Sequence, residues 1–349
     1  MGSWEENIRR VEPYVPGEQP SDKNIIKLNT NENPYGPSPR VKAINLDTDL
    51  LKKYPDPKAE LLVSTLAAYH GLDESQVFVG VGSDDVIAMS FMTFFNSKKP
   101  ILFPDITYSF YDVWADMLRI PYEKQPLDDN FNIVKEDYLN KENGGIIFPN
   151  PNAPTGILVD LAFIEDIVKA NPDSVVIIDE AYIDFGGESA LPLIDKYENL
   201  LVVRTFSKSR SMAGLRIGYA MGSPKLIKYL NDVKYSFNSY TMNMPSIILG
   251  SEVIADDEYF RECTGKIIET REWFSDKLKT LGFKVLPSKA NFVFASPDKV
   301  SAEEVFKTAR ENGIYFRFFN APRISSFLRI TIGTREEMEK VVSFLEGIL

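Results

Sequence analysis

Six short apolar runs rich in β-branched residues, separated by stretches of helical periodicity, constrain the fold of this chain more than any other feature. They lie at 77–81, 100–103, 145–148, 174–179, 200–205 and 216–221. Apolar runs that do not alternate with polar residues suit strands covered on both faces, and such strands need crossover connections, usually helices. Helical patterns fall between and after them at 84–95, 109–118, 161–170 and 224–236. Residues 40–244 are therefore expected to form a large α/β domain around a mostly parallel, doubly wound sheet.

After Pro245 the pattern changes. A long amphipathic helix is expected over 258–281, ending at Gly282. Strand-like runs follow at 284–286, 291–295 and 327–332, with helices at 302–312 and 335–349. This mixture predicts a smaller α+β domain over 245–349. Residues 1–39, which include VPGEQP and NTNENPYGPSP, read as an extended arm with turns that joins the small domain.

Several classes of function are excluded early. The net charge of −11 argues against a nucleic-acid partner, which needs a concentrated basic surface. The start, MGSWEENIRR, lacks the pattern of a signal peptide, and the longest apolar runs are far short of a membrane span. With one cysteine, Cys263, no internal disulfide or Cys-rich zinc site can form, and a cytoplasmic location is expected. The single histidine, His70, stands before Gly71 at a helix end, where it is expected to complement the helix dipole. Acid–base chemistry must then come from Lys, Asp, Glu or Tyr.

Four segments place reactive residues where strands end. In SVVIIDEAY, apolar residues lead into Asp179 and Glu180, and the ligand-binding edge of an open α/β sheet is where its strands end. In NLLVVRTFSKSRSMAGLRIGY the run leads into Thr205, Ser207 and Lys208, with Arg216 further on. A desolvated lysine there is a nucleophile, and the hydroxyls and guanidinium suit a phosphate. FVGVGSDDVIAMSF runs from strand through a glycine turn into a helix, freeing backbone N–H groups to cradle an anion. IIFPNPNAPTG makes a stiff loop at the same edge. Taken singly, these are an acidic turn, a surface lysine, a glycine turn and a proline loop. Together they assemble an amine, an acid, a phosphate cradle and an amide-bearing loop.

The set GSDD, NPNAPTG, DEAY and TFSK…AGLRIGY resembles the fold-type I pyridoxal 5'-phosphate (PLP) aminotransferases of the aspartate aminotransferase superfamily. VEPYVPG, LNTNENPYGPSP, KYPDP, GIYFR and LRITIGTREE are similar to its histidinol-phosphate aminotransferase branch, and the likeness runs from about residue 7 to 349. The resemblance implies that Lys208 holds PLP as a Schiff base and shuttles the substrate's α-proton, while Asp179 pairs with the ring nitrogen. It implies that Tyr182 bonds the ring's phenolic oxygen and Tyr108 stacks on the ring. Ser83, Asp84, Thr205, Ser207 and Arg216 would hold the phosphate, with Tyr54 of a partner subunit, so a homodimer is implied. Tyr14, Arg317 and Arg329 would bind the substrates, histidinol phosphate and glutamate or 2-oxoglutarate.

One position departs from the pattern. Ala153 stands where the family has an asparagine that reaches the ring oxygen; either Asn152 reaches over, the preferred reading, or Tyr182 holds the oxygen without it. Two related activities fit the same motifs: an aromatic amino-acid aminotransferase and a threonine-phosphate decarboxylase. A binding protein without activity would not need both Lys208 and Asp179.

Overall fold

The computed structural model describes residues 4–21, 24–139 and 141–349. A two-residue strand β1 (Ile26–Lys27) precedes α1 (Pro39–Ala43) and α2 (Glu60–His70). Then come β2 (Val77–Gly80), α3 (Gly82–Phe94), β3 (Ile101–Pro104), α4 (Tyr111–Leu118) and β4 (Tyr122–Gln125). They lead to α5 (Glu136–Leu139), β5 (Gly145–Pro149), α6 (Leu161–Ala170), β6 (Val176–Asp179), β7 (Leu200–Thr205) and β8 (Gly218–Gly222). Three helices follow: α7 (Pro224–Phe237), α8 (Met244–Ala255) and α9 (Asp257–Thr280). The chain ends with β9 (Lys284–Val285), β10 (Phe292–Ser296), α10 (Ala302–Glu311), β11 (Ile314–Tyr315), β12 (Arg317–Phe318), β13 (Leu328–Thr331) and α11 (Arg335–Ile348). Every strand expected from the sequence is present, with ends shifted by no more than two residues.

The fold is α/β, built on a seven-stranded sheet of order β2-β8-β7-β6-β5-β3-β4. Strands β7, β6, β5, β3 and β4 are parallel, and β8 runs against both its neighbours. Successive residues of each central strand face opposite sides. Ile146, Phe148, Val176, Ile178, Leu200 and Val202 pack with Leu62 of α2, Ile164 of α6 and Ile247 of α8. Ile147, Ile177, Leu201 and Val203 pack with Val86 of α3, Trp114 of α4 and Leu230 of α7. Both faces are covered, which is why these strands read as unbroken apolar runs. Each such side chain, fully buried, stabilises the fold by roughly 1.5–3 kcal/mol.

The small sheet, of order β12-β13-β10-β9, is antiparallel. Ile267 and Phe274 of α9, Val305 of α10 and Val341 of α11 cover it, against Phe292 and Ile330. The N-terminal arm joins here, because β1 pairs in parallel with β11. Helix α8, unforeseen in the sequence, shares the core of the large sheet. We propose that the two domains meet at Asp256, whose side chain caps α9 by accepting from the Tyr259 N–H, and not at 244/245.

Strand β4 was also missed. Its sequence, YEKQ, carries charges because it is the sheet's outer edge, and charged side chains there discourage pairing with other chains.

Candidate active site

The C-terminal ends of β6 and β7 and the first turn of α3 converge on a cavity with two adjoining compartments of about 230 and 270 Å³. Lys208, Tyr182, Tyr108, Asp84, Thr30 and Ala153 line both. The inner compartment adds Ser83, Asp179, Thr205, Ser207 and Arg216. The outer one adds Tyr14, Asn29, Asn31, Arg317, Phe319 and Arg329. Of the residues expected to bind the cofactor or the substrates, all but Asn152 and Tyr54 therefore meet here.

One end of the inner compartment is an anion cradle. Ser83 and Asp84 begin α3, a helix of 13 residues whose first N–H groups have no intrahelical partner. A Cβ on Gly218 would lie 2.2 Å from the carbonyl carbon of Gly82, so only glycine lets β8 approach this helix start so closely. Arg216 adopts a left-handed backbone, φ +54°, a strained state for a residue with a side chain. Its guanidinium is held by Asp84 at 2.9 Å and reaches Ser207 Oγ at 3.4 Å. Thr205 Oγ1 donates to Ser207 Oγ at 3.0 Å, which groups both hydroxyls beside the guanidinium.

At the other end lies Asp179. Its carboxylate accepts from Tyr111 Oη at 3.0 Å and from the Ala181 N–H at 3.2 Å. Burial outweighs both bonds and pushes its pKa up to about 6. An acid so placed gains from a cationic partner. Burial also holds the Tyr108 and Tyr111 phenols well above their ordinary range, so both remain protonated donors, Tyr108 to Asp84 at 2.7 Å.

Lys208 follows β7 and projects between the compartments. Its Nζ donates to the Thr30 carbonyl at 3.1 Å and stands 5.7 Å from the centre of the Tyr182 ring. No carboxylate pairs with it among the described residues. The ring of Tyr182 is fixed edge-on against Phe292, with centroids 5.1 Å apart.

In the outer compartment, Arg317 on β12 and Arg329 on β13 are direct cross-strand partners. Like charges facing each other across a ladder destabilise a sheet. Neither forms an ion pair among the described residues; Arg329 donates only to the Asn29 carbonyl at 3.1 Å, and its buried Nε has no partner. Burial first, and then the charge of Arg317, lower its pKa, so the facing pair would gain from a bound anion. Tyr14, from the arm, stacks on Phe110 with centroids 4.1 Å apart and closes this side.

Two expectations need correcting. Asn152 does not reach into the cavity: its Nδ2 donates to the Ile106 carbonyl and Thr155 Oγ1, and its Oδ1 accepts from Thr107. The 150–156 loop thus offers the inner compartment only Ala153 and the outer one Ala153 and Pro154. Tyr54, expected at a partner subunit's site, is 80% exposed, stacked on Tyr240, and outside its own chain's cavity. His70 ends α2 before Gly71 (φ +69°), as expected, but burial lowers its pKa to about 3. It is neutral, bonded to Tyr219, and cannot serve the dipole as a charge.

The sequence reading overlooked Tyr111 and Asn31. Tyr111 begins α4 within an aromatic run that reads as core, and Asn31 sits in the motif NTNENP, which reads only as turns. Among the described residues no cluster of three or more His, Cys, Asp or Glu could hold a metal, and no helix is long and apolar enough to cross a membrane.

Comparison with known proteins follows the geometry. Residues 23–345 match the family described as aminotransferase class I and II. A histidinol-phosphate aminotransferase of Lactococcus lactis is 53% identical, over 99% of this chain and 97% of its own. The crystal structure of the histidinol-phosphate aminotransferase from Clostridium acetobutylicum superimposes with a TM-score of 0.86 at 25% identity, covering 93% of this chain and 99% of that one. The Sinorhizobium meliloti enzyme of the same name, solved in complex with PLP, shares the fold with a TM-score of 0.82 at 23% identity, covering 92% of this chain and 89% of that one.

Proposed function

We propose that this chain, which belongs to the class I and II aminotransferase family, exchanges an amino group between L-histidinol phosphate and 2-oxoglutarate. The products are imidazole acetol phosphate and L-glutamate. Enzymes of this family are PLP-dependent; when bound, PLP supplies an aldehyde that takes up the amino group and a ring that spreads the electron pair left at the substrate's α-carbon.

The residues fit that group. The α3 N-terminus, Thr205, Ser207 and Arg216 match a phosphate in size and charge, and the raised pKa of Asp179 suits an acid awaiting a protonated ring nitrogen. Among the described residues Lys208 is the lysine that lines both compartments, so its Nζ can hold the aldehyde and, once released, take a proton from the substrate α-carbon and return it. Tyr108 walls the ring's face and, through Asp84, also steadies Arg216. Tyr182 Oη faces the same space as Lys208 and can bond the ring's phenolic oxygen.

The observation that carries the substrate assignment is the facing, unpaired Arg317 and Arg329. An arginine fork bonds two oxygens at once, which suits a phosphate in one half-reaction and a carboxylate in the other. Losing one charge-assisted bond costs roughly 1.5–3 kcal/mol, so Arg317→Ala should weaken histidinol phosphate about ten- to a hundredfold in kcat/KM. Glutamate should suffer less, whereas Arg329→Ala should impair both. Steady-state kinetics with histidinol phosphate, glutamate and phenylalanine decide it. Equal losses for all three in Arg317→Ala would remove the assignment. The aromatic wall of Tyr14, Phe110 and Phe319 favours one second reading, an aromatic amino-acid donor, and wild-type preference for phenylalanine would establish it.

We also propose a cytoplasmic homodimer in which Tyr54 reaches the partner's phosphate cradle. In support, Tyr54 stacks on Tyr240, and each lies three residues in sequence from another exposed apolar side chain, Leu51 at 60% and Phe237 at 68%. Mixing inactive Lys208→Ala with Tyr54→Ala protein should restore about a quarter of wild-type activity, because half of randomly paired dimers are mixed and each has one repaired site. No recovery after subunit exchange, or a monomer by light scattering, would count against a shared site.

A further inference from the structure

Asn31 is 1% exposed and adopts a left-handed backbone, φ +57°, which asparagine tolerates better than most residues. Its surroundings dictate which way its amide points. The Asn31 N–H donates to Thr331 Oγ1 at 3.0 Å, and that hydroxyl gives its own proton to Asn31 Oδ1 at 3.0 Å. The Asn31 carbonyl accepts from Asn291 Nδ2 at 2.9 Å, which holds the backbone in place. With Oδ1 turned to Thr331, it is Nδ2 that lies 2.9 Å from Tyr182 Oη.

An amide nitrogen can only donate. Tyr182 Oη therefore accepts from Asn31, and its own proton must go to another acceptor. Tyr182 lines both compartments together with Lys208, and because Asn31 lines only the outer one, the inner one is left for that proton. We propose that Asn31 is a positioning residue that fixes Tyr182 as a hydrogen-bond donor into this compartment, in a chain whose 150–156 loop offers only the Ala153 methyl there. A hydroxyl that accepts one bond donates the next more strongly, so the orientation also strengthens the donor. The inference rests on the reading that the compartment takes PLP, and it deepens that reading.

The test is the pH titration of the visible absorption band of the PLP-loaded full chain. A donor at the ring's phenolic oxygen draws charge from it and weakens its hold on the proton it shares with the Lys208 nitrogen. Asn31→Gly keeps the left-handed backbone and removes the amide. It should raise the midpoint by about half to one pH unit, a roughly three- to tenfold tighter hold on that proton. Tyr182→Phe should raise it further, and Asn31→Gly should add nothing in the Tyr182→Phe background. Thr331→Val frees the amide to turn and should shift the midpoint in the same direction; it serves if Asn31→Gly does not fold. An unchanged midpoint in the folded variants, or an equal shift with and without the Tyr182 hydroxyl, overturns the inference. A wild-type protein that binds no PLP and shows no visible band overturns the cofactor reading itself.

Discussion

Lys208→Ala is expected to abolish turnover with every substrate, by at least about 10⁴-fold, because the proposed site asks one side chain to supply both the amine that holds the cofactor and the base that moves the α-proton. Lys208 is the lysine that lines the two compartments, and the neighbouring Lys27 is occupied by Glu32 and Thr30. The cradle of Ser83, Thr205, Ser207 and Arg216 is untouched, so the variant should still retain PLP after dialysis, now released by phosphate competition. Each tenfold loss of rate corresponds to about 1.36 kcal/mol of barrier, so this side chain is asked to supply at least about 5 kcal/mol. Single-turnover kinetics measure it. Activity within tenfold of wild type would show that another amine does the work.

Asp179→Asn has two effects of opposite sign. The amide keeps the shape and the Tyr111 bond but loses the charge that pairs with a protonated ring nitrogen. A buried ion pair that loses one partner costs about 3–5 kcal/mol, so activity should fall by roughly two to four powers of ten. The cofactor-free protein should behave the other way. Its Asp179 titrates at about 6, against an ordinary value of 3.8. A carboxyl whose folded value is raised binds more protons folded than unfolded between those two limits. Its contribution to stability therefore falls as pH rises from 3.8 to 6, and above that it costs the fold on the order of 3 kcal/mol. Cofactor-free Asp179→Asn should melt above wild type at pH 8 and level with it below pH 3.8, by calorimetry. With PLP bound, wild type should be the more stable. A variant that melts lower than wild type at pH 8 without cofactor would mean that burial is not what dominates at Asp179.

The parts of this protein legible in the chain are those governed by local physics. Strands β5, β6 and β7 announce themselves because burial on both faces demands unbroken Ile, Val and Leu. Since each such run must stop where the sheet stops, Asp179 and Lys208 could be placed at its ligand edge before any fold was known. Gly71 marked the end of α2 because a left-handed residue closes a helix. What failed locally did so for identifiable reasons. The edge strand β4 hides behind its charges, and β1, β11 and β12 are too short to show a period.

Hydrogen-bond direction and charge pairing, by contrast, belong to the tertiary structure alone. Sequence spacing proposed Asn152 for the ring oxygen, yet its amide is spent on Ile106, Thr107 and Thr155, while Asn31, far earlier in the chain, is delivered to Tyr182 by Thr331. In the sequence Arg317 and Arg329 could equally be surface charges; the β12–β13 register sets them face to face beside a cavity. The sequence by itself determined the α/β architecture and the reactive residues at its strand ends, because burial and period act within a few neighbouring residues. Which amide serves which oxygen, and which charges lack a partner, was decided only when distant segments packed, because a side chain's remaining hydrogen bond is known only after all its neighbours are in place.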